Sequence, residues 1–478
     1  MTDPVVVTWR ELLRQTAETL GDRVHARWMC EAAAGEDGTA FLLLLDDPAT
    51  ERMVGHLDAM IARYGAGEPL QYVLGRWGFR RLDLAVDGRA LIPRPETESV
   101  AEAAIDAARS FGPLRTVIDL GTGTGAIGLA AADELPREGT TVWLTDESGD
   151  ALDLARANLA GLGGSAVGVR VVAGSWYDAL PAEVLADVIV SNPPYVADDS
   201  PDVEAIVAGW EPPSALYSGA DGLDAIREIV AGAPERLRPG GVLVLEIGAD
   251  QGDAVRQLLA AAGFVELEIR TDLAGLDRVA VAERPSTLVS EPGLRVRRLT
   301  NRLDDYALLL RWLRTPEVLE WYEGRDQDFD FADILEEYGP GGEHEREGTE
   351  PLVVEVDDRP VGYVQIYELS RHAAEFGLGD EPSDGRDIWS LDLYVGEPDL
   401  LDTGLGRRIV RAVAQYLLAV RGARDVVIMP YPENERAVRS YVAAGFVAEA
   451  IVPDHEIHEG VMRDGVRMHF RPDSPSRP

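Results

Sequence analysis

One short stretch narrows the chemistry of this chain sharply: Asn192-Pro193-Pro194-Tyr195, directly after the apolar run Ala186-Asp187-Val188-Ile189-Val190-Ser191. A β-branched run of that kind reads as a buried strand of a parallel sheet. Two consecutive prolines must end it, because they donate nothing to the ladder and fix the backbone. The product is a rigid elbow at the carboxyl end of a strand, where open α/β sheets bind ligands. It offers an Asn amide, the prolyl carbonyls of Pro193 and Pro194, and the aromatic face of Tyr195. That set suits methylation of a planar nitrogen. An amide or amino nitrogen is a poor nucleophile because its lone pair is delocalised. The carbonyls of Asn192 and Pro193 can accept its two N–H bonds, orient the lone pair and stabilise the positive charge that grows as a methyl group arrives. Alone, Asn-Pro-Pro is also an ordinary turn; its weight comes from what lies upstream.

There, Thr116-Val117-Ile118-Asp119-Leu120 reads as a strand, Gly121-Thr122-Gly123-Thr124-Gly125 as a tight turn, and Ala126 to Asp133 as a helix. The glycines let the backbone approach a ligand closely, and the helix N-terminus supplies free N–H groups. A second strand, Thr141 to Asp146, ends in an acid 25 positions after Gly121, where a ribose-binding carboxylate belongs. The missing third glycine argues against NAD. Trp176 follows a third strand, Val169 to Ala173, and is a candidate to stack on a purine. The Asn-Pro-Pro-Tyr strand is fourth, and Gly241 to Ile247, Val265 to Arg270 and Arg278 to Ala282 bring the total to seven, a doubly wound, Rossmann-like α/β sheet.

Three amphipathic helices precede this sheet, Trp9 to Leu20, Asp22 to Ala34 and Ala49 to Tyr64, each stopped by a glycine. They suit a recognition bundle. Glu68 to Gly75, then Phe79 and an alternating segment to Val86, predict a hairpin joining bundle to sheet. Leu91-Ile92-Pro93-Arg94-Pro95-Glu96-Thr97-Glu98 predicts a rigid, proline-bracketed loop that opens a helix, with its charges on a solvated face.

The 478 residues exceed one ordinary core. The composition is globular, and no apolar run approaches the roughly 18 residues of a membrane span. With no secretory signal and Cys30 the sole cysteine, a reducing cytoplasm is expected. Cys30 has no activating base nearby and reads as inert. The net charge of −39, from 84 acidic and 45 basic residues, repels phosphate backbones and argues against direct nucleic-acid binding. It favours solubility or a basic partner.

Residues 285–293 have linker composition, and a different pattern follows. Leu294 to Leu299 is a predicted strand and Asp304 to Leu313 an amphipathic helix. Pro351 to Val356 and Val361 to Tyr367 form a hairpin, and Ile388 to Val395 a long strand. Asp402 to Arg407 then opens the helix Arg408 to Val420. Val426 to Met429 is a strand, Glu435 to Ala444 a helix, and the tail after about 471 is expected to fray. The turn Gly404-Leu405-Gly406-Arg407 offers backbone N–H groups at a helix N-terminus for a pyrophosphate. Glu336, Glu337, Asp380, Glu381 and Asp384 add carboxylates that suit polycationic amines, though a charge run is most often a solvated face. His455-Glu456-Ile457-His458-Glu459 lacks zinc-ligand spacing, and no metal is expected.

The first 285 or so residues resemble the release-factor glutamine methyltransferases, the PrmC/HemK family. The resemblance rests on Pro69-Leu70-Gln71-Tyr72, Ile92 to Glu98, Asp119 to Gly125, Ser191 to Tyr195 and Glu211-Pro212. It continues through Gly222-Leu223-Asp224, Glu246-Ile247-Gly248, Gln251-Gly252 and Asp272-Leu273-Ala274-Gly275. It implies S-adenosylmethionine as donor, held by Gly121, Thr122, Gly123, Thr124, Gly125, Asp146, Trp176 and Asn192. As acceptor it implies the glutamine of the Gly-Gly-Gln loop in peptide chain release factors, held by Asn192 to Tyr195, with the helical bundle touching the release factor. The proline often found after the second strand is absent from Asp146-Glu147-Ser148-Gly149-Asp150. The same elbow also serves N(6)-adenine, so a nucleic-acid adenine methyltransferase is the alternative; the charge and the bundle count against it.

The last 180 or so residues resemble GNAT acetyltransferases, and within them aminoglycoside 6'-N-acetyltransferases. The stretches are Trp389 to Pro398, Gly404-Leu405-Gly406, Asn434-Glu435-Arg436-Ala437 and Tyr441 to Phe446. This implies acetyl-CoA held at Gly404, Leu405, Gly406, Arg407 and Asn434. Asp392 would accept a proton from a small amine or bind a cationic sugar, and Tyr441 would protonate the departing thiolate. Leu401 stands where Gln or Arg is usual, which leaves open a GNAT-shaped docking module without catalysis. The expected organisation is a helical domain (1–75), a class I methyltransferase domain (76–284), a linker (285–293) and a GNAT α+β domain (294–473).

Overall fold

The structure is a computed structural model. It describes residues 7–198, 200, 209–272, 274–369, 376 and 388–471. Leu273, Asp380, Glu381, Asp384 and the tail beyond 471 lie outside the described residues. The chain divides into two compact units. One takes residues 1–109, 115–237 and 241–284; the other takes 110–114, 238–240 and 285 onward.

The first unit opens with helices α1 (Trp9–Leu20), α2 (Arg23–Ala34), α3 (Gly38–Leu43), α4 (Glu51–Gly65) and α5 (Leu70–Leu74). Their starts are capped as the sequence demands: Thr8, Asp22 and Thr50 each accept a backbone N–H of the first turn. Trp9, Met29, Cys30, Phe41, Leu57 and Met60 form the core between them. Two of these helices were not expected. A helix of five or six residues is too short to display the 3.6-residue repeat. Thus Leu70–Leu74 is a helix ended by Gly75, and the hairpin is confined to β1 (Arg76–Phe79) and β2 (Leu82–Ala85).

After α6 (Thr97–Arg109) comes the sheet: β3 (Arg115–Leu120), β4 (Thr140–Asp146), β5 (Val169–Ala173), β6 (Ala186–Ser191), β7 (Leu237–Glu246), β8 (Val265–Thr271) and β9 (Asp277–Glu283). Helices α7 (Ala126–Glu134), α8 (Gly149–Gly161), α9 (Asp224–Arg236) and α10 (Gly252–Ala261) connect them. The spatial order is β5-β4-β3-β6-β7-β9-β8. The first five strands are parallel, and β9 runs against both its neighbours. The chain leaves β3 toward β4 and β5, then crosses back to β6. The strand order therefore reverses between β3 and β6, and a crevice opens at their carboxyl ends.

The second unit begins earlier than expected. Within the segment read as a linker, Thr287–Glu291 is strand β10, paired antiparallel with β11 (Leu294–Arg298). Pro and Gly in this segment mark the tight turn between the two strands, at which Gly293 has φ 66°. Helices α11 (Leu303–Trp312), α12 (Pro316–Leu319), α13 (Phe331–Tyr338) and α14 (Glu343–Glu347) follow. Next are β12 (Glu350–Val356), β13 (Arg359–Glu368), β14 (Ile388–Val395), α15 (Leu405–Ala419), β15 (Asp425–Ile428) and α16 (Glu435–Ala444). A long hairpin, β16 (Val447–His458) with β17 (Val461–Phe470), closes the sheet and was not foreseen. The order is β10-β11-β12-β13-β14-β15-β17-β16. Among the described residues only β14 and β15 pair in parallel, from Ile388↔Asp425 to Ser390↔Val427. Beyond Ser390 the two strands part, so Asp392 lies where the sheet splays.

Helix α7 lies close against the first sheet because Gly128 has no side chain. A Cβ there would stand 2.1 Å from Leu144 Cδ2 and 3.1 Å from Asp119 Oδ2. Gly128→Ala is expected to destabilise this unit by about 1–3 kcal/mol through overpacking. A lowered urea midpoint with an unchanged slope checks this; an unchanged midpoint refutes it.

Candidate active sites

In the first unit, register sets the site. Strands β3 and β6 pair from Val117↔Val188 to Leu120↔Ser191, so both stop at one level. Ser191 Oγ donates to Leu120 O at 2.7 Å and locks the two ends together. The glycine turn leaves one strand and the Asn-Pro-Pro-Tyr elbow leaves the other. Gly121, Gly123 and Gly125 all have positive φ, at 65°, 56° and 86°, conformations that cost an L side chain energy. The Trp176 ring covers Gly121, 3.2 Å from where a Cβ would sit. Trp176 itself holds φ 41°, a strained value of the kind that clusters at ligand sites.

Two acids shape the turn. Asp119 is buried; its Oδ2 accepts Thr122 Oγ1 at 2.6 Å and Gly128 N at 2.9 Å. Asp146 accepts Gly123 N at 2.9 Å through Oδ2 and Ser148 N at 2.9 Å through Oδ1. Burial raises Asp146, opposed by these backbone N–H groups. Burial pushes Asp119 up to about 7, against the hydrogen bonds from Thr122 and Gly128. The turn is thus a tight, side-chain-free bend whose Thr122, Gly123 and Gly125 N–H groups are bonded to Thr145 O, Asp146 and Thr122 O, with a carboxylate on its rim, which fits close approach of a methyl donor bearing a ribose.

At the elbow, Asn192 Nδ2 donates to Thr97 Oγ1 at 3.3 Å. The Tyr195 phenol donates to Glu246 Oε1 at 3.1 Å, and burial raises that phenol. Gln251 Nε2 donates to Tyr195 O at 3.0 Å and to Gly222 O at 3.3 Å, while Gly248 N donates to Gln251 Oε1 at 2.9 Å. The Leu91–Glu98 segment is not the solvated face expected of it. Glu211 is buried, and its carboxylate accepts Ile92 N at 3.1 Å and Arg94 Nη2 at 2.6 Å. Thr97 is buried as well. Glu211, Glu246 and Gln251 belong to stretches already noted in the sequence, yet only folding shows that Glu246 and Gln251 hold the elbow and Glu211 the Ile92–Arg94 segment.

In the second unit a cavity of about 990 Å³ runs along the splay. It brings together Asp392, Tyr441, Asn434 and the turn Gly404 to Arg407. Gly404 has φ 83° and opens α15. The helix N-terminus supplies backbone N–H groups, and the side chains of Arg407, Arg436 and Arg439, the last paired with Glu435 at 2.9 Å, also line the cavity. That arrangement fits the pyrophosphate of acetyl-CoA. Asn434 also caps α16, its Oδ1 accepting Ala437 N at 3.1 Å, so its Nδ2 is what it can offer a ligand. Leu401 lines the cavity too. Asp392 Oδ2 accepts Gln365 Nε2 at 2.9 Å. Gln365 Oε1 in turn meets Tyr322 OH at 3.1 Å, Tyr363 OH at 3.0 Å and His344 Nε2 at 2.9 Å. Burial raises Asp392 and keeps the Tyr441 phenol protonated. Glu323 is pushed up to about 7, first by burial and then by Glu337, Glu456 and Asp392. The sequence did not single out Gln365 or Glu323, and it weighed Glu456 only as part of a metal-ligand run, because each lies on a different element.

Three family models match, each over a separate part of the chain. They are the PrmC N-terminal domain over residues 8–75, the methyltransferase small domain over 106–209, and the acetyltransferase (GNAT) domain over 301–453. The release factor glutamine methyltransferase of Xylella fastidiosa (strain Temecula1) is 46% identical over 240 residues, 50% of this chain and 85% of its own length. That of Burkholderia pseudomallei (strain K96243) is 40% identical over 290 residues, 59% of this chain and 99% of its own length. The chain belongs to the release factor glutamine methyltransferase family. Among solved structures, aminoglycoside acetyltransferase AAC(6')-Ib in complex with coenzyme A is 26% identical, covering 37% of this chain and 94% of its own, with a TM-score of 0.30. The protein is an enzyme. Its methyltransferase domain implies S-adenosylmethionine, and its GNAT domain implies acetyl-CoA. Among the described residues no helix is long and apolar enough to cross a membrane, and no cluster of His, Cys, Asp and Glu could hold a metal.

Asp119 sets a pH signature for the methyltransferase unit. Its folded value, about 7, stands above the ordinary 3.8, so the folded state binds a proton that the unfolded state has lost. The stability tied to it is full below about pH 4 and disappears as pH rises through 7, falling by at most about 1.4 kcal/mol for each pH unit. Asp119→Asn is expected to flatten that decline in urea unfolding between pH 5 and 8. An identical slope in the variant refutes the assignment.

Proposed function

We propose that the first site transfers the methyl group of S-adenosylmethionine to the side-chain amide nitrogen of the glutamine in the Gly-Gly-Gln loop of peptide chain release factors. The observation that carries this reading is the shared level at which the glycine turn and the Asn-Pro-Pro-Tyr elbow leave paired strands. On this reading the side-chain-free turn Gly121 to Gly125 lets the donor lie close against the backbone, Asp146 takes ribose hydroxyls and Trp176 stacks on the purine. The Asn192 and Pro193 carbonyls accept the two N–H bonds of the amide. They stabilise the charge that develops when its nitrogen attacks in line, with no covalent enzyme intermediate. Pro194 stiffens the elbow, Tyr195 packs on the planar amide, and the α1–α5 bundle meets the release factor. The same reading puts the enzyme in the cytoplasm, in keeping with a single cysteine that is buried and reduced.

Asn192→Ala is expected to abolish labelling of a release factor by labelled S-adenosylmethionine while leaving the fold intact. A release factor with Gln→Ala in its Gly-Gly-Gln loop is expected to stay unlabelled. Near-normal turnover in the first variant sinks the mechanism. Persistent labelling in the second points to another acceptor.

For the second site the proposal is acetyl transfer from acetyl-CoA to a primary amine of a polycationic small molecule, an aminoglycoside being the leading case. Support comes from the polarity of the cavity. Arg407, Arg436 and Arg439 suit a pyrophosphate, whereas Asp392, Glu323 and Glu456 suit a polyamine. Asp392 accepts the proton of the attacking amine. Tyr441, kept protonated by burial, donates to the thiolate as it leaves.

CoA release from the purified chain, offered aminoglycosides, polyamines and release-factor peptides, tests this. Turnover on an aminoglycoside is expected, with a fall of about 10²-fold or more in Tyr441→Phe. Turnover on a peptide alone overturns the choice of substrate. No turnover and no acetyl-CoA binding leaves a docking domain.

A further inference from the structure

The segment between β2 and α6 touches both sides of the methyl-transfer crevice. Ala90 lies against the glycine turn, 3.9 Å from where a Cβ on Gly123 would sit. Thr97, the first residue of α6 and 3% exposed, meets the elbow: Asn192 Nδ2 donates to Thr97 Oγ1 at 3.3 Å. Two separate groups pin the end near the glycine turn. The Tyr72 phenol of α5 donates to Ala90 O at 2.8 Å. The Asn158 amide of α8 bonds both backbone groups of Ala85 and donates to Thr124 O at 2.9 Å.

The end near the elbow is held by Glu211. Its side chain is 1% exposed, and both its oxygens are spent on the segment: Oε1 accepts Ile92 N at 3.1 Å and Oε2 accepts Arg94 Nη2 at 2.6 Å. Thr97 N then donates to Arg94 O at 3.1 Å, so the turn that carries Thr97 starts at the residue Glu211 grips. Burial raises the Glu211 carboxyl, against the Arg94 guanidinium and the Ile92 N–H. Removing one partner of such a pair strands a buried charge, so the grip is firm. Glu211 also belongs to the connection that leaves β6 through the elbow. That connection and the segment therefore meet at two points, Asn192 with Thr97 and Glu211 with Ile92 and Arg94. A single contact would act as a pivot; two fix the separation.

We infer that Glu211 and Arg94 are positioning residues for methyl transfer: their ion pair fastens residues 90–97 as a strap that sets Asn192, and with it the acceptor nitrogen, at a fixed place relative to the donor. This rests on the reading of Asn192 given above. Because Tyr72 and Asn158 hold the other end of the strap separately, loosening the pair acts on the acceptor side and spares affinity for the donor.

The test uses the full chain, labelled S-adenosylmethionine and an intact release factor, with S-adenosylmethionine affinity measured by calorimetry beside turnover. Glu211→Ala is expected to lower kcat by about 10- to 100-fold, with the Kd for S-adenosylmethionine within about twofold. Arg94→Met removes the cation from a side chain that is 29% exposed. It is expected to lower kcat by about fivefold or more with the same unchanged Kd, and it carries the test if Glu211→Ala fails to fold. In a double-mutant cycle the two changes together are expected to cost no more than Glu211→Ala alone, since each removes the other's partner. Normal kcat in a folded Glu211→Ala or Arg94→Met overturns the strap, and so do losses that multiply in the double variant. A Kd for S-adenosylmethionine that weakens in step with kcat also overturns it, because that is the mark of a merely structural role. The two failures are separable: an active Asn192→Ala removes the underlying reading, whereas an inactive Asn192→Ala beside a normal Glu211→Ala removes the strap alone.

Discussion

Parallel pairing of β3 with β6 ends both strands at one level and aims both following loops into the same crevice. The rest of the first unit depends on this register. A slip of one residue would turn every side chain of β6 to the opposite face. It would also separate the elbow from the glycine turn by a strand step of about 3.3 Å, enough to spoil an in-line attack. The two prolines convert the register into a rigid edge, because the chain cannot continue the ladder past Asn192. Gln251 and Glu246 then brace that edge at Tyr195 from elements that lie far away in sequence.

The second unit solves a related problem by the opposite means. There the ligand site comes from strands that part rather than strands that stop together. Among the described residues β14 and β15 pair over three positions, ending at Ser390↔Val427, and past that point the main chain has groups to offer a ligand. A helix then opens at a glycine of positive φ, as α7 does at Gly125 in the first unit. In both units a helix N-terminus faces the region where phosphate or carboxylate groups would sit, which follows from the unsatisfied N–H groups there.

Much of this was legible before the fold was known, and for identifiable reasons. β5, β6 and β14 are β-branched or aromatic runs bounded by Gly, Pro or a charged turn, so their limits showed in the sequence. The glycine turn and the elbow were legible because their chemistry is local. What was not legible is what needs length or partners. The short helices at Gly38–Leu43 and Leu70–Leu74 show no full repeat. Thr287–Glu291 looked like a tether because a hairpin turn and a linker share Pro and Gly. The residues behind each site, Thr97, Gln365 and Glu323, carry no signal of their own, since an isolated Thr, Gln or Glu is ordinary until tertiary contacts bury it.

The acids also play different parts in the two sites, although the chain as a whole is strongly acidic. Asp119 and Glu246 are each held by hydrogen bonds from hydroxyls or backbone N–H groups. A buried carboxylate so placed gives direction to its donors, and it need not meet the substrate to matter. Glu323 is instead surrounded by other acids, Glu337, Glu456 and Asp392, and its proton affinity is raised in part by them. Like charges that crowd a cavity are costly until a cation enters and relieves them. The first arrangement also carries a burial cost, which raises both acids, but its hydrogen bonds serve geometry whether or not the site is filled. The second is relieved by binding, so it favours an acceptor that carries several positive charges. The surface charge of −39 acts in the same sense at long range, but beyond a Debye length of about 8 Å it is screened. Discrimination between amines must then come from the acids in the cavity itself.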